Sequence, residues 1–269
     1  MTPTSTFWAR ASTAASSPEP RGDSPPGGRL CAIHQPNLFP RLSTLAKLYA
    51  ADHWIVLDDV QFARRDYQHR ARLAAVDDPD RQQWLTLPTH LPHGRSTLIR
   101  HARLADPHRS HRTTELLVRQ YYGRSRHRTA ICAVLEAVLR TIDTTDQVAR
   151  IATASTTVLL AALGWQGQTV ASSDLPARRG RSQRLADLAA ATGSSHYLCG
   201  TGGMRYLDYR PFDAYGISVV PFRMPTDAAG ALCRSAQRAT SLWALSTLGP
   251  QALAHHLVAD LEARAGATG

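Results

Sequence analysis

The chain has 269 residues, 43% of them hydrophobic, which is enough to fill the core of one large domain and too much for a disordered protein. Its formal net charge is +10, from 31 Lys and Arg against 21 Asp and Glu, which permits a phosphate-bearing partner or a nucleic acid without demanding either. Lys47 is the only lysine, and an arginine bias of this kind also follows from a GC-rich genome. No stretch approaches the ~18 apolar residues that span a bilayer. The amino terminus lacks the apolar core of a secretory signal. The four cysteines, Cys31, Cys132, Cys199 and Cys233, have no paired spacing, so reduced thiols in a cytoplasmic protein are expected rather than a disulfide framework.

In chain order, residues 1–28 are rich in Ser, Thr, Pro, Gly and Ala and predict a disordered leader, with one α/β domain over 29–269. The apolar run Leu30–Ile33 predicts a strand and Leu42–Ala51 a helix. Between them lies a stiff polar loop, His34-Gln35-Pro36-Asn37-Leu38-Phe39-Pro40. Trp54–Leu57 reads as a strand buried on both faces, ending at Asp58-Asp59. Residues 60–73 are dense in polar and cationic side chains, and Gln83–Pro88 reads as a further strand. A long loop over 89–109 follows, with room for one short strand near Leu98–Ile99. Three segments with helical spacing, 110–122, 128–141 and 145–163, predict a helical insertion, with Thr144 and Asp146 as start residues and Gly164 as a cap. Strands are expected at 168–171, 195–199 and 217–220, and helices at 181–192, 241–248 and 250–263. The alternation predicts an α/β fold with a mainly parallel, doubly wound, Rossmann-like sheet.

In a parallel sheet all strands point one way, so four polar strand endings would share one edge: His34 to Asn37, Asp58-Asp59, Ser172-Ser173 and Gly200 to Gly203. Each has a plain structural reading as well. His34 suits a core histidine, Asn37 a turn, and Gly200, Gly202 and Gly203 either a backbone nest for an anion or a glycine turn. Asp58 and Asp59 are adjacent, so on an extended chain they face opposite ways. One suits a metal or hydroxyl partner, and the other is expected to bind an arginine of 64–72 or cap a turn. Gln61, Tyr67, Gln68, Arg70 and Arg72 form either an anion-binding set or the wet face of a helix. Tyr121, Tyr122 and Trp165 suit packing roles. His108, His111 and Glu115 have a spacing a metal could use, but fit a solvated helix face better, and no metal is expected. Among the cysteines only Cys199, beside the glycine loop, has a context compatible with reactivity.

These blocks resemble the WbqC-like protein family. The resemblance is carried by Ile33-His34-Gln35-Pro36-Asn37-Leu38-Phe39-Pro40 and by Ala51 to Phe62. It continues through Tyr67-Gln68-His69-Arg70, Trp84 to Pro88, Ser172-Ser173, and Tyr197 to Gly203 with Tyr206-Leu207-Asp208. It implies a biosynthetic enzyme of polysaccharide or specialised-metabolite pathways, transferring an amino acid or acyl unit to a sugar or related acceptor. Two departures stand out. Cys199 replaces the family's usual Ser before the glycine loop, and a His-Pro…Tyr-Pro-Gln stretch is not recognisable at Met224-Pro225-Thr226-Asp227. A weaker similarity links the first strand, loop and helix to nucleotidylyltransferases with an HxGH loop, although this chain lacks both histidines of that motif.

The expected site has His34 and Asp58 or Asp59 as catalytic groups, with the imidazole's pKa near working pH. Gln35, Asn37, Gln61, Tyr67, Gln68, Arg70, Arg72, Ser172, Ser173, Gly200, Gly202, Gly203 and Tyr206 are the expected substrate contacts. The partner is a small molecule; a nucleic acid and a membrane are not expected. The cofactor is open, with ATP or another nucleotide plus Mg²⁺ as the candidate. A nucleotidylyl- or adenylate-forming enzyme and a degenerate binding protein are the alternatives.

Overall fold

The structure, a computed structural model, describes residues 28–222 and 238–265. The expected leader therefore lies, but for its last residue, outside the described residues, as do Met224–Asp227. Strands β1 (Leu30–His34), β2 (His53–Val56), β7 (Gln168–Ala171), β8 (His196–Gly200) and β9 (Ser218–Phe222) form one parallel sheet in the order β7-β2-β1-β8-β9. From β1 the chain moves outward to β2 and β7, then crosses back to β8 and β9. The direction of winding thus reverses between β1 and β8, where α/β proteins of this topology open a crevice.

The period-two alternation of the strands divides two cores. Ala32, Trp54, Val56 and Leu198 face one cluster, with α1 (Leu42–Tyr49), α4 (Val148–Ala162) and a later helix, α8 (Ser241–Leu248). Cys31, Ile33, Ile55, Tyr197 and Cys199 face the other, with α5 (Arg181–Ala191) and the short α7 (Arg210–Asp213). Helices thus cover both faces, as expected. The inserted helices α2 (Pro107–Tyr122), α3 (Arg128–Thr144) and α4 lie between β6 (Arg103–Leu104) and β7. Tyr122 is fully buried, and Trp165 donates to the Ala51 carbonyl at 2.7 Å, so both pack as expected. The chain closes with α9 (Pro250–Ala265).

Three local expectations are corrected. Strand β4 (Gln82–Thr86) does not join the main sheet. It pairs antiparallel with β3 (Arg70–Ala74) as a separate hairpin, and the short β5 (Thr89–His90) pairs with β6 in the same way. Residues 60–73 therefore form a loop and a strand, not a helix. Asp146 does not cap α4; its carboxylate binds Arg103 at 2.8 Å. Gly164 does adopt the expected left-handed conformation after α4 (φ 82°).

The loop after β1 is fixed by two elements, α4 and the start of α8. Phe39 N donates to Ser155 Oγ at 2.9 Å, and Thr156 donates to the Asn37 carbonyl at 3.0 Å. Thr240, which caps α8, donates to the Phe39 carbonyl at 2.8 Å. Phe39 is held at φ 42°, a conformation costly for a bulky residue, so these contacts over-determine the loop.

Candidate functional site

All four polar strand endings lie at the carboxyl edge of the sheet, at the ends of the adjacent strands β7, β2, β1 and β8. On this edge a cavity of about 700 Å³ brings together Gln35, Asp59, Ser172, Ser173 and Arg184 with the segment 177–181. Asp59 forms an ion pair with Arg184 and accepts from Ser172. Burial would raise the Asp59 carboxyl. The bonds from Ser172 and Arg184 outweigh that effect and hold it below its ordinary value. Asp59 is therefore a carboxylate at neutral pH.

Asp58 and Asp59 take different main partners but do not face opposite ways as expected: the chain bends at Asp59, beyond the end of β2, and both carboxylates reach Ser172 Oγ. Asp58 is buried and acts as a clasp between β2 and β7. Its oxygens accept from Ser172 Oγ (3.2 Å), Ser173 N (3.1 Å) and Ser173 Oγ (2.9 Å). Ser172 lies against both carboxylates with a single proton to share. The arginine that binds Asp59 comes from α5, not from 64–72.

Gln35 is oriented by a neighbour distant in sequence. Gln68, fully buried, donates to Gln35 Oε1 at 2.7 Å and lies 3.3 Å from Asp66 Oδ2. The Tyr67 carbonyl accepts from Leu38 N at 2.8 Å, so segment 66–68 is laced to the loop after β1. Gln68 is thus a support for Gln35.

His34 is neutral. Its Nδ1 hydrogen-bonds the Gln35 carbonyl at 2.7 Å, which assigns the ring proton to Nδ1 and leaves Nε2 as an acceptor. Burial, then the positive charges of Lys47 and Arg41, lower its pKa to about 3. The expectation of a pKa near working pH fails, because the ring ends among cations in a poorly hydrated corner. Lys47 itself is buried, donates to the Ile33 carbonyl at 3.2 Å, and is lowered by burial to about 8. Cys199 is buried and burial raises its thiol, so it is protonated and shielded rather than reactive.

The remaining expected contacts separate from this cavity. Asn37 is buried and its amide turns back to the Pro36 carbonyl at 3.2 Å. Gln61 donates to the Arg95 carbonyl. Arg70 and Arg72 stack on Trp84 at 4.4 and 4.5 Å from the ring centroid, on the β3–β4 hairpin, because residues two apart on a strand share a face. Tyr67 lies between Trp84 and Arg41 in the same stack. Gly200 to Gly203 do not form an open nest: Thr201–Met204 wind into one helical turn, α6. A Cβ at Gly203 would come within 2.9 Å of Cys199 Sγ, so that glycine permits close packing of the turn on β8. Tyr206 is exposed, with Arg181 5.1 Å from its ring centroid.

Among the described residues no group of three or more His, Cys, Asp or Glu is arranged to hold a metal. His111 binds Asp143 and Glu115 binds Arg119, as solvated helix faces do. The cavity's cations, Arg178, Arg179, Arg181 and Arg184, were not singled out in the sequence. The available signal was Arg-Arg-Gly-Arg at 178–181, directly before a helix on the site edge. Lys47 was visible only as the sole lysine.

A doubly wound α/β protein with a polar cavity at the carboxyl edge of its sheet defines the class. The profile of the WbqC-like protein family matches residues 35–227, and the chain belongs to that family. It is 26% identical over 196 residues to the uncharacterized protein Rv1507c of Mycobacterium tuberculosis, covering 71% of this chain and 80% of that one. No solved structure matches.

Proposed function

We propose that the protein is a biosynthetic group-transfer enzyme, passing an amino acid or acyl unit to a sugar or related acceptor. Its substrate carries a phosphate or carboxylate and binds in the cavity walled by Gln35, Asp59 and Arg184. The observation that supports this reading best is the charge of the cavity. Four arginines and one carboxylate line it, and one of the four, Arg178, is neutralised by Asp187 at 2.7 Å. Arg179 and Arg181 add positive potential at the rim, and the amino terminus of α5 adds backbone N–H groups without a side-chain cap. Arginine forks suit the planar or tetrahedral oxyanions of such substrates.

In this reading Arg184 binds the anion and Asp59 positions Arg184 while accepting from a substrate hydroxyl or amine. Gln35 orients the substrate through its amide. Neutral His34, which does not line the cavity, holds the Gln35 carbonyl through Nδ1 and supports Gln35 rather than acting as an acid. The free thiols at Cys31, Cys132 and Cys199 suit a reducing compartment such as the cytoplasm, and among the described residues no helix is long and apolar enough to cross a membrane.

Calorimetry with sugar phosphates, free amino acids and ATP with Mg²⁺ tests the reading. At least one anionic ligand is expected to bind, with affinity weakened about tenfold or more by Arg184→Gln, the loss of a charge-assisted bond. Millimolar ligands that all fail to bind, or binding indifferent to Arg184, would contradict it. A nucleotide requirement would appear as heat with ATP and none with the phosphates alone.

A further inference from the structure

A second cavity, of about 770 Å³, opens on the other side of the Asp58–Ser173 clasp, against β7 and helices α3 and α4. Its walls carry Arg100, His101, Arg103 and Arg150 against Asp58 and Asp174. Two of these groups already have partners, while Asp174 enters no ion pair among the described residues. The Asp58 oxygens accept from Ser172 and Ser173, and Arg103 is held by Asp146. Arg100 is different. Its Nε is buried without a hydrogen-bond partner among the described residues. Neither Arg100 nor Arg150 enters an ion pair among the described residues. A guanidinium with a buried N–H and no acceptor is poorly satisfied, and an oxyanion in the cavity that Arg100 lines would supply acceptors to its head.

We propose that this cavity is a second ligand site, taking the phosphate or carboxylate of another small molecule through Arg100 and Arg150. Two sites separated by a thin clasp, with Ser173 lining both, suit a reaction that joins two substrates; in that respect the inference rests on the group-transfer reading. The binding itself does not.

The test is calorimetry of the full-length protein with inorganic phosphate and, separately, with acetate, which tells phosphoryl from carboxylate preference. The wild type is expected to show two classes of site for at least one probe. Combined Arg100→Gln and Arg150→Ala should weaken one class about tenfold or more and spare the other, while Arg184→Gln does the reverse. A folded Arg100/Arg150 variant with wild-type stoichiometry and affinity overturns the second site and leaves the first standing on the Arg184 arm. Loss of all binding in that variant, with Arg184→Gln unchanged, keeps the second site and removes the first. Should the Arg100 change prevent folding, Arg150→Ala at an exposed position carries the test alone: several-fold weakening of one class supports the site, and no change overturns it.

Discussion

Asp59 and Arg184 meet in an ion pair on the wall of the site cavity that ties the segment after β2 to the first turns of α5. The pair spans 125 positions of sequence and involves side chains only about a quarter exposed. Removing one partner leaves the other partly desolvated and unpaired, which costs more than the pair contributes. Asp59→Asn is therefore expected to displace Arg184 and weaken anion binding, measured by calorimetry, while Asp59→Asn with Arg184→Gln should recover stability without recovering binding.

Asp58 is expected to matter for stability more than for ligand affinity in the first cavity. Asp58→Ala removes the acceptor of bonds from Ser172 and Ser173 and strands their donors at the β2–β7 junction. A loss of about 3 kcal/mol is expected in denaturant unfolding. A loss below about 1 kcal/mol would mean the clasp adds little to the paired strands.

Gln68 should act through Gln35. Gln68→Leu keeps the volume of a fully buried side chain but deletes the 2.7 Å bond to Gln35 Oε1. It is expected to weaken ligand binding several-fold, and Gln68→Leu in the Gln35→Ala background should add little, because Gln68 acts on the ligand through Gln35. Additive losses would place Gln68 outside this support role.

The histidines set the acid side of the stability profile. Folded His34 has a pKa of about 3 and His69 about 4, both lowered chiefly by burial, against about 6.5 in an unfolded chain. Between those values the unfolded chain binds protons that the folded state refuses, so stability should fall as pH drops from about 6.5. Asp59, held low, adds a loss of the same sign only as pH falls through the carboxylate range. The melting temperature from pH 6.5 to 5 thus isolates the histidines, and His34→Gln should flatten its decline. An unchanged slope would mean that His34 is hydrated and titrates normally.

Much of the fold was legible because buried parallel strands carry apolar runs with polar ends, as Trp54–Val56 before Asp58 and Tyr197–Cys199 before Gly200 show. The shared edge followed from that pattern. The partners across the edge did not, since Gln68 to Gln35 and Arg184 to Asp59 depend on how distant segments dock. Arg70 and Arg72 looked like anion ligands because composition says nothing of facing: on a hairpin strand they point together at Trp84. The depressed pKa of His34 was hidden for the same reason, since its burial, and then the approach of Lys47 from the next helix, are set by how the loop after β1 docks.

The central claim is that an anionic substrate binds at Gln35, Asp59 and Arg184 rather than on the hairpin. A crystal structure of the protein soaked with a sugar phosphate tests it most directly. The phosphate is expected against Arg184 and the amino terminus of α5, with the Gln35 amide on the sugar. A ligand seated instead on the Arg70–Trp84–Arg72 stack, with the cavity at the sheet edge empty, would contradict it.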